Sequence, residues 1–223
     1  MEQTADYAEI ELQLFIDDDF KHIHDFSVDM DYPDSDEDEM NTVYISIETD
    51  TEITAYMEVY IFYGDRIDDL TIFADGVSGD ARETMCALFE NGLLVPYDPE
   101  KDTIEEMFDS LSSVIAHINY MAVRDDYRKQ GMGSWLFKNL PRILSRNYGI
   151  KPRIISTTIC PQVIAWDKPR PCFSPPDENI PADEAMHSLM EKLLVQNGYQ
   201  QLGDTEHHYM KPSSLSNNGQ FKD

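Results

Sequence analysis

The clearest rhythm of apolar and polar positions lies in the second half of the chain. HINYMAV (117–123) is a run of β-type residues and predicts a strand. RDDYRKQGMG (124–133) is polar and glycine-bearing and predicts a loop. SWLFKNLPRILSRNYG (134–149) spaces its apolar residues as a helix and stops at Gly149. RIISTTI (153–159) predicts another strand. Residues 160–181 carry prolines at 161, 169, 171, 175, 176 and 181 and are expected to form a long irregular loop. A helix over 182–199, capped at Gly198, leads to a short hairpin over 199–211 and a polar tail. Strand, loop, helix, strand and helix in this order predict an α/β layer structure with parallel pairing around both crossings.

The first half is less regular. Residues 7–16 place Ile10, Leu12 and Leu14 on one face, as a strand or a short helix. DMDYPDSDEDEM (29–40) has almost nothing to bury and reads as a solvated loop. TVYISIE (42–48) and ITAYMEVYIFY (53–63) predict two strands, with Asp50-Thr51 as the hairpin tip. Residues 67–74 are read as a further strand. Residues 79–91 space Ala81, Met85, Leu88 and Phe89 helically and stop at Asn91-Gly92. Residues 102–115 repeat that pattern behind Asp102 as N-cap. These apolar stripes are the expected core.

Charge changes the picture more than length does. The chain has 223 residues and a formal net charge of −26. Residues 1–115 hold 32 acids and 4 bases, whereas residues 116–223 hold 11 acids and 13 bases. So acidic a chain is not expected to bind nucleic acid through a basic face. No apolar stretch is long enough to predict a membrane span, and an acidic start without Lys or Arg is unlike a targeting leader. Cys86, Cys160 and Cys172 lack the spacing of a disulfide scaffold or a zinc site. A cytoplasmic protein is therefore expected, built from an acidic half (1–115), a core (116–211) and a tail (212–223).

Candidate chemistry is concentrated in VRDDYRKQGMGSWL (123–136), where a buried strand ends and a short turn delivers two glycines to a helix start. Amides at a helix N-terminus point outward unpaired and face the positive end of the helix dipole, which suits a pyrophosphate. Arg128 and Lys129 add charge and Ser134 a hydroxyl. The spacing is neither a Walker A loop nor Gly-x-Gly-x-x-Gly. Taken as a bare Gly-x-Gly, the run is more simply a helix start with two incidental glycines.

Its surroundings add a resemblance. Arg128, Gly131 and Gly133 match the Arg/Gln-x-x-Gly-x-Gly/Ala signature of the GNAT superfamily of N-acetyltransferases. Met121, Ala122, Val123, Tyr127 and Arg128 resemble the pattern that precedes it, and strand 153–159, helix 182–197, Gly198-Tyr199 and Tyr209-x-Lys211 follow in the family's order. The resemblance covers residues 117–211. It implies an α+β fold: a mixed, mostly antiparallel central sheet with one parallel, splayed strand pair, flanked by helices. It further implies acetyl-CoA as cosubstrate. Its pantetheine arm would lie in the splay beside Met121, Ala122 and Val123, and its pyrophosphate on Lys129, Gln130, Gly131, Met132, Gly133 and Ser134, with Arg128 alongside. An amine would attack the thioester directly, with no metal.

A protonated amine cannot attack, so a base must take its proton. The resemblance points to His117, six residues before Val123; a strand-start histidine facing solvent or core is the competing reading. Glu58 is a second candidate base, and an exposed strand carboxylate its simpler identity. The tyrosine that many members place four residues before Gly198 is Leu194 here. Tyr209, His187 and Cys160 are the substitutes for that acid. The acidic half suggests a cationic amine acceptor: a polyamine, an aminoglycoside-like compound or a lysine of a basic protein. Trp166 and Phe173 in the proline-rich segment are candidates for an acceptor lid or a homodimer contact. The alternative is a catalytically silent member that binds acetyl-CoA, or an interaction protein whose acidic face meets a basic partner.

Overall fold

The computed structural model describes residues 25–31, 40–48, 52–64, 70–94, 114–159, 163–165, 172–174 and 184–212. Among the described residues three strands come first: β1 (Asp25–Asp31), β2 (Met40–Glu48) and β3 (Ile53–Tyr63). Two helices follow, α1 (Leu70–Val77) and α2 (Gly79–Glu90). Then come β4 (Val114–Val123), α3 (Met132–Tyr148) and β5 (Ile154–Thr158). A small hairpin of β6 (Val163–Ala165) and β7 (Cys172–Ser174) precedes α4 (Glu184–Gln196), β8 (Gln200–Gln201) and β9 (His207–Met210).

Seven strands form one mixed sheet in the order β1-β2-β3-β4-β5-β9-β8. All neighbours are antiparallel except β4 and β5, which run parallel because α3 carries the chain back between them. β3 and β4 are in register from Ala55–Val123 to Tyr63–Val114, so the sheet crosses from the acidic half into the rest without a break.

Strand alternation sorts the side chains onto two faces. Val43, Ile45, Ile47, Met57, Val59, Ile61, Ala116, Ile118 and Ile155 pack under α3, whose Met132, Leu136, Phe137, Leu140, Ile143 and Leu144 repeat at helical spacing. Leu194 and Tyr199 close that layer, with the Tyr199 ring edge-on to Phe137 at 5.5 Å. On the other face Phe62, Ile115 and Ile154 pack with Leu70, Ala74, Ala81, Met85 and Leu88 of α1 and α2. Ser78 caps α2 by accepting a hydrogen bond from the Ala81 amide at 3.0 Å, and the helix ends at Asn91-Gly92 as its sequence predicts.

Several expectations are corrected. Residues 70–74 are helical, not a strand. An alternating reading puts Leu70, Ile72 and Ala74 on one face, but only Leu70 and Ala74, one helical turn apart, are buried, and Ile72 is 71% exposed. Asp29–Asp31 of the acidic run belong to β1, and Met40 opens β2; the rest of that run lies outside the described residues. Val114 and Ile115 open β4 rather than ending a helix; 102–113 lie outside the described residues, as do 7–16. The proline-rich segment contains the β6–β7 hairpin, whose strands avoid every proline.

The second crossing gives no parallel neighbour. β9 is antiparallel to both β5 and β8, so β8 emerges from α4 parallel to β5 and the hairpin folds β9 between them.

Leu140 is fully buried between α3 and the sheet. Leu140→Ala is expected to cost about 2–5 kcal/mol in urea unfolding. Leu189 is 54% exposed on α4, and Leu189→Ala should change stability by no more than about 0.5 kcal/mol.

Candidate functional site

β4 is in register with β5 over four residue pairs only, Ile115–Ile154 to Ile118–Thr157. Beyond Ile118, β4 continues to Val123 against β3 alone among the described residues. Two local features mark this parting. The β3 partners step from Val59–Ile118 to Glu58–Tyr120, so Asn119 is the extra residue of a β-bulge, which bends and re-aims the strand. The Thr157 hydroxyl donates to the Ile118 carbonyl at 3.2 Å, satisfying an acceptor where the ladder ends.

After Val123 a single 3-10 turn, Asp125–Tyr127, leads into the glycine-bearing loop. Glu52 holds its start, meeting Arg124 at 2.9 Å and accepting from the Tyr127 hydroxyl at 3.2 Å. Lys129 takes a left-handed φ of 64° and Gly131 one of 90°. A side chain at Gly131 would be strained by that φ. Helix α3 closes its first backbone bond from Trp135 N–H to the Gly131 carbonyl, 2.9 Å. The amides from Lys129 to Ser134 donate to no other described residue. They are donors of the kind an anion satisfies at a helix start.

Each side chain of this loop has a place. Arg128 pairs with Asp125 at 2.8 Å and donates from Nε to the Val123 carbonyl at 3.2 Å, while Lys129 and Gln130 are exposed. The Met132 side chain is core, 3% exposed, so only its backbone faces the loop. Ser134 donates to Asn197 Oδ1 at 2.9 Å, tying the start of α3 to the end of α4. Gly133 is closely packed: a Cβ there would stand 3.2 Å from Met121 Cε and 3.4 Å from Leu193 Cδ2, both ends of flexible side chains. Met121, Ala122 and Val123 are half-buried on the unladdered stretch of β4.

A scan of protein-family models finds no match to the chain, and a search of curated proteins finds none either.

The candidate acid–base residues lie on the face opposite α3. Tyr60, His117, Ser156 and Tyr209 form a row across β3, β4, β5 and β9. His117 is fully buried; its Nδ1 lies 3.2 Å from Ser156 Oγ, and its Nε2 has no partner among the described residues. Burial, with His207 nearby, lowers its pKa to about 3. It is thus neutral at pH 7 but a weak base. Glu58 is half-buried beside the parting, where Asn119 Nδ2 donates to its Oε1 at 2.7 Å and to the Tyr60 hydroxyl at 2.9 Å. The Tyr209 hydroxyl donates to Gln200 Oε1 at 3.2 Å. Leu194, at the expected acid position, is 1% exposed in the core, and His187 lies 3.9 Å from Glu206. Cys160 and Trp166 lie outside the described residues, and Phe173 falls in β7.

The fold therefore gathers His117, Glu58 and Tyr209 on one face and the loop 128–134 at the head of a helix on the other, with the parting of β4 and β5 between them. Asn119, Ser156 and Tyr60 are the residues that sequence reasoning missed. Tyr60 and Glu58 share strand parity, a signal open to reading. The bulge that brings Asn119 to them leaves no such mark.

His117 should link stability to pH. Its folded pKa lies below the unfolded value of 6.5, so its contribution is whole above about pH 6.5 and is lost as pH falls toward about 3, because the unfolded chain takes up the proton first. The slope approaches about 1.4 kcal/mol per pH unit within that window. Urea unfolding at pH 7.5, 6 and 5 should show a shallower slope for His117→Gln than for the parent. His207 and His208 are lowered by burial too, so some slope remains.

Proposed function

We propose that the protein is an N-acetyltransferase of the GNAT type, moving the acetyl group of acetyl-CoA to a cationic primary amine. The observation that carries this reading is the parting of the parallel pair β4–β5 beside a loop whose amides, Lys129 to Ser134, have no partner among the described residues. A pyrophosphate on that loop would satisfy those donors. Lys129 would add charge, and Arg128, anchored by Asp125, would line one side. The pantetheine arm would run along Met121 to Val123, taking the place of a neighbouring strand, and would carry the thioester through the gap to the opposite face.

There the amine would meet Glu58. Between the two candidate bases, full burial sets His117 against the role, since a wholly enclosed ring is out of reach of a solvated ammonium. Glu58 is half-buried at the gap, fixed by Asn119, and we assign it the ammonium and the passage of its proton to water. The amine nitrogen attacks the carbonyl carbon, the C–S bond breaks, and the coenzyme A thiolate leaves. Tyr209 is the candidate donor to that sulfur.

A second reading is favoured by two observations. Leu194 stands buried where the usual acid would be, and the Tyr209 hydroxyl is already directed at Gln200. It makes the chain an acetyl-CoA-binding protein without turnover.

Calorimetry with acetyl-CoA and thiol release with an amine panel test both readings. We expect binding at micromolar to submillimolar levels. Gly131→Glu should abolish it, because it places a carboxylate and a strained φ in the anion site. Thiol release should fall more than about tenfold in Glu58→Gln and less than that in His117→Ala. No heat with the parent at millimolar acetyl-CoA ends the proposal; heat without thiol release favours the second reading.

A further inference from the structure

Glu58 stands at the centre of four tyrosines. Tyr44 on β2 and Tyr120 on β4 are its direct cross-strand partners. Tyr56 and Tyr60 are its neighbours two residues away along β3, on the same face. Ring centroids of Tyr44 and Tyr56 lie 6.2 Å apart at 27°, and those of Tyr56 and Tyr120 5.6 Å apart at 35°. Three rings thus form a wall across three strands. The fourth, Tyr60, has its hydroxyl fixed by Asn119, which also holds Glu58.

This grouping overlaps the packing of the fold only in part: Tyr56 and Tyr120 are buried, and Tyr60 packs against the second apolar cluster. Tyr44, Tyr56, Glu58 and Tyr120 belong to neither apolar cluster of the sheet. The phenols of Tyr56 and Tyr60 stay neutral at any physiological pH. Burial raises Tyr56 and Tyr60 well above the usual phenol range, with Tyr120, Glu58 and Tyr44 adding to the shift at Tyr56 and Glu58 to that at Tyr60. The one full negative charge in the group is then carried by Glu58.

A carboxylate set among tyrosine rings attracts a cation twice, by its own charge and by the ring quadrupoles. The rings also offer apolar surface to methylenes beside that cation, surface that a hydroxylated stem would cover less well. We propose that Glu58, Tyr44, Tyr56, Tyr60 and Tyr120 form an acceptor subsite for a primary ammonium on an unbranched, hydroxyl-free alkyl stem, the group shared by polyamines and the lysine side chain. Its place as an acceptor subsite rests on the transferase reading above, because Asn119, which bridges Glu58 and Tyr60, is the residue at which the gap begins. Among the acceptors considered, aminoglycosides are disfavoured.

Calorimetry on the full chain tests this without cofactor. Spermidine, Nα-acetyl-lysine amide and kanamycin are each titrated at about 0.15 M salt, where surface attraction is screened. Spermidine or the lysine amide should bind at least about tenfold more tightly than kanamycin. The tighter of the two names the source, a polyamine or a protein lysine. Glu58→Gln should weaken binding at least about tenfold, far more than the loss of one charge from a diffuse attraction would; the chain has 43 acids. Tyr44→Leu should weaken it about three- to tenfold, and Tyr44→Phe should stay within about twofold, since the ring face is kept. Thermal melts confirm that each variant is folded.

Acetyl-CoA titrated into the same proteins keeps the two ideas apart. Unchanged acetyl-CoA binding in Glu58→Gln places that residue on the acceptor side. Amine binding without any acetyl-CoA binding would leave the cage standing and remove the transferase. The subsite is overturned if the parent gives no heat with either alkylamine at millimolar levels, if Glu58→Gln binds them like the parent, or if kanamycin binds equally well.

Discussion

The arrangement depends on a ladder that stops. Parallel strands in the middle of a sheet normally pair along their full length, because every unpaired backbone group there must find another partner. β4 outruns its pairing with β5 after Ile118–Thr157, deep inside a seven-stranded sheet rather than at its border. Ile118 and Thr157 are both buried, so this is not a frayed end. Its rim is built: Asn119 takes up the extra residue, the Thr157 hydroxyl caps the Ile118 carbonyl, and Ser134 ties α3 to α4 nearby. A sheet pays for such an opening in unmet hydrogen bonds, which a ligand running alongside β4 would recover.

The two faces of the sheet give the opening its meaning. One is sealed by α3, whose first turn carries the open amides. The other is sealed by α1 and α2 over Phe62, Ile115 and Ile154, and carries the polar row Tyr60, His117, Ser156 and Tyr209. The open amides and the titratable side chains thus lie on opposite faces of the sheet, on either side of the β4–β5 parting. Burial then divides labour among the titratable groups. His117, wholly enclosed, is held neutral, while Glu58, half-buried at the gap, is fixed by Asn119.

Sequence pattern disclosed this architecture unevenly. Helices with one clean apolar stripe, such as α2 and α3, and an alternating strand such as β2 were legible because a single face had to be buried, and β3 was legible from its β-branched and aromatic content. β1 was missed, although Phe26, Val28 and Met30 alternate with polar residues there; acidic composition outweighed the period. α1, read as a strand, buries Leu70 and Ala74 one helical turn apart and leaves Ile72 exposed. The turn into α3 was legible from its glycines, but the use of its residues was not. Met132 is core, Gly133 is a packing contact, and only the backbone remains for a ligand. The ring of tyrosines about Glu58 comes from three strands and a register that no local window contains.

Charge bears on how two ligands of opposite sign could share one small protein. A chain of net charge −26 repels a polyanion as a whole and draws cations toward it. At physiological salt that field fades over about 8 Å, so an anion is held only by donors in direct contact. The start of α3 offers donors that need no compensating carboxylate: backbone amides and the positive end of the helix dipole. It lies in the part of the chain where 11 acids meet 13 bases, whereas Glu58 and three of its four tyrosines come from the part with 32 acids and 4 bases. Short-range dipoles on one face and a long-range field with a fixed carboxylate on the other would keep the two ligands from competing for one site.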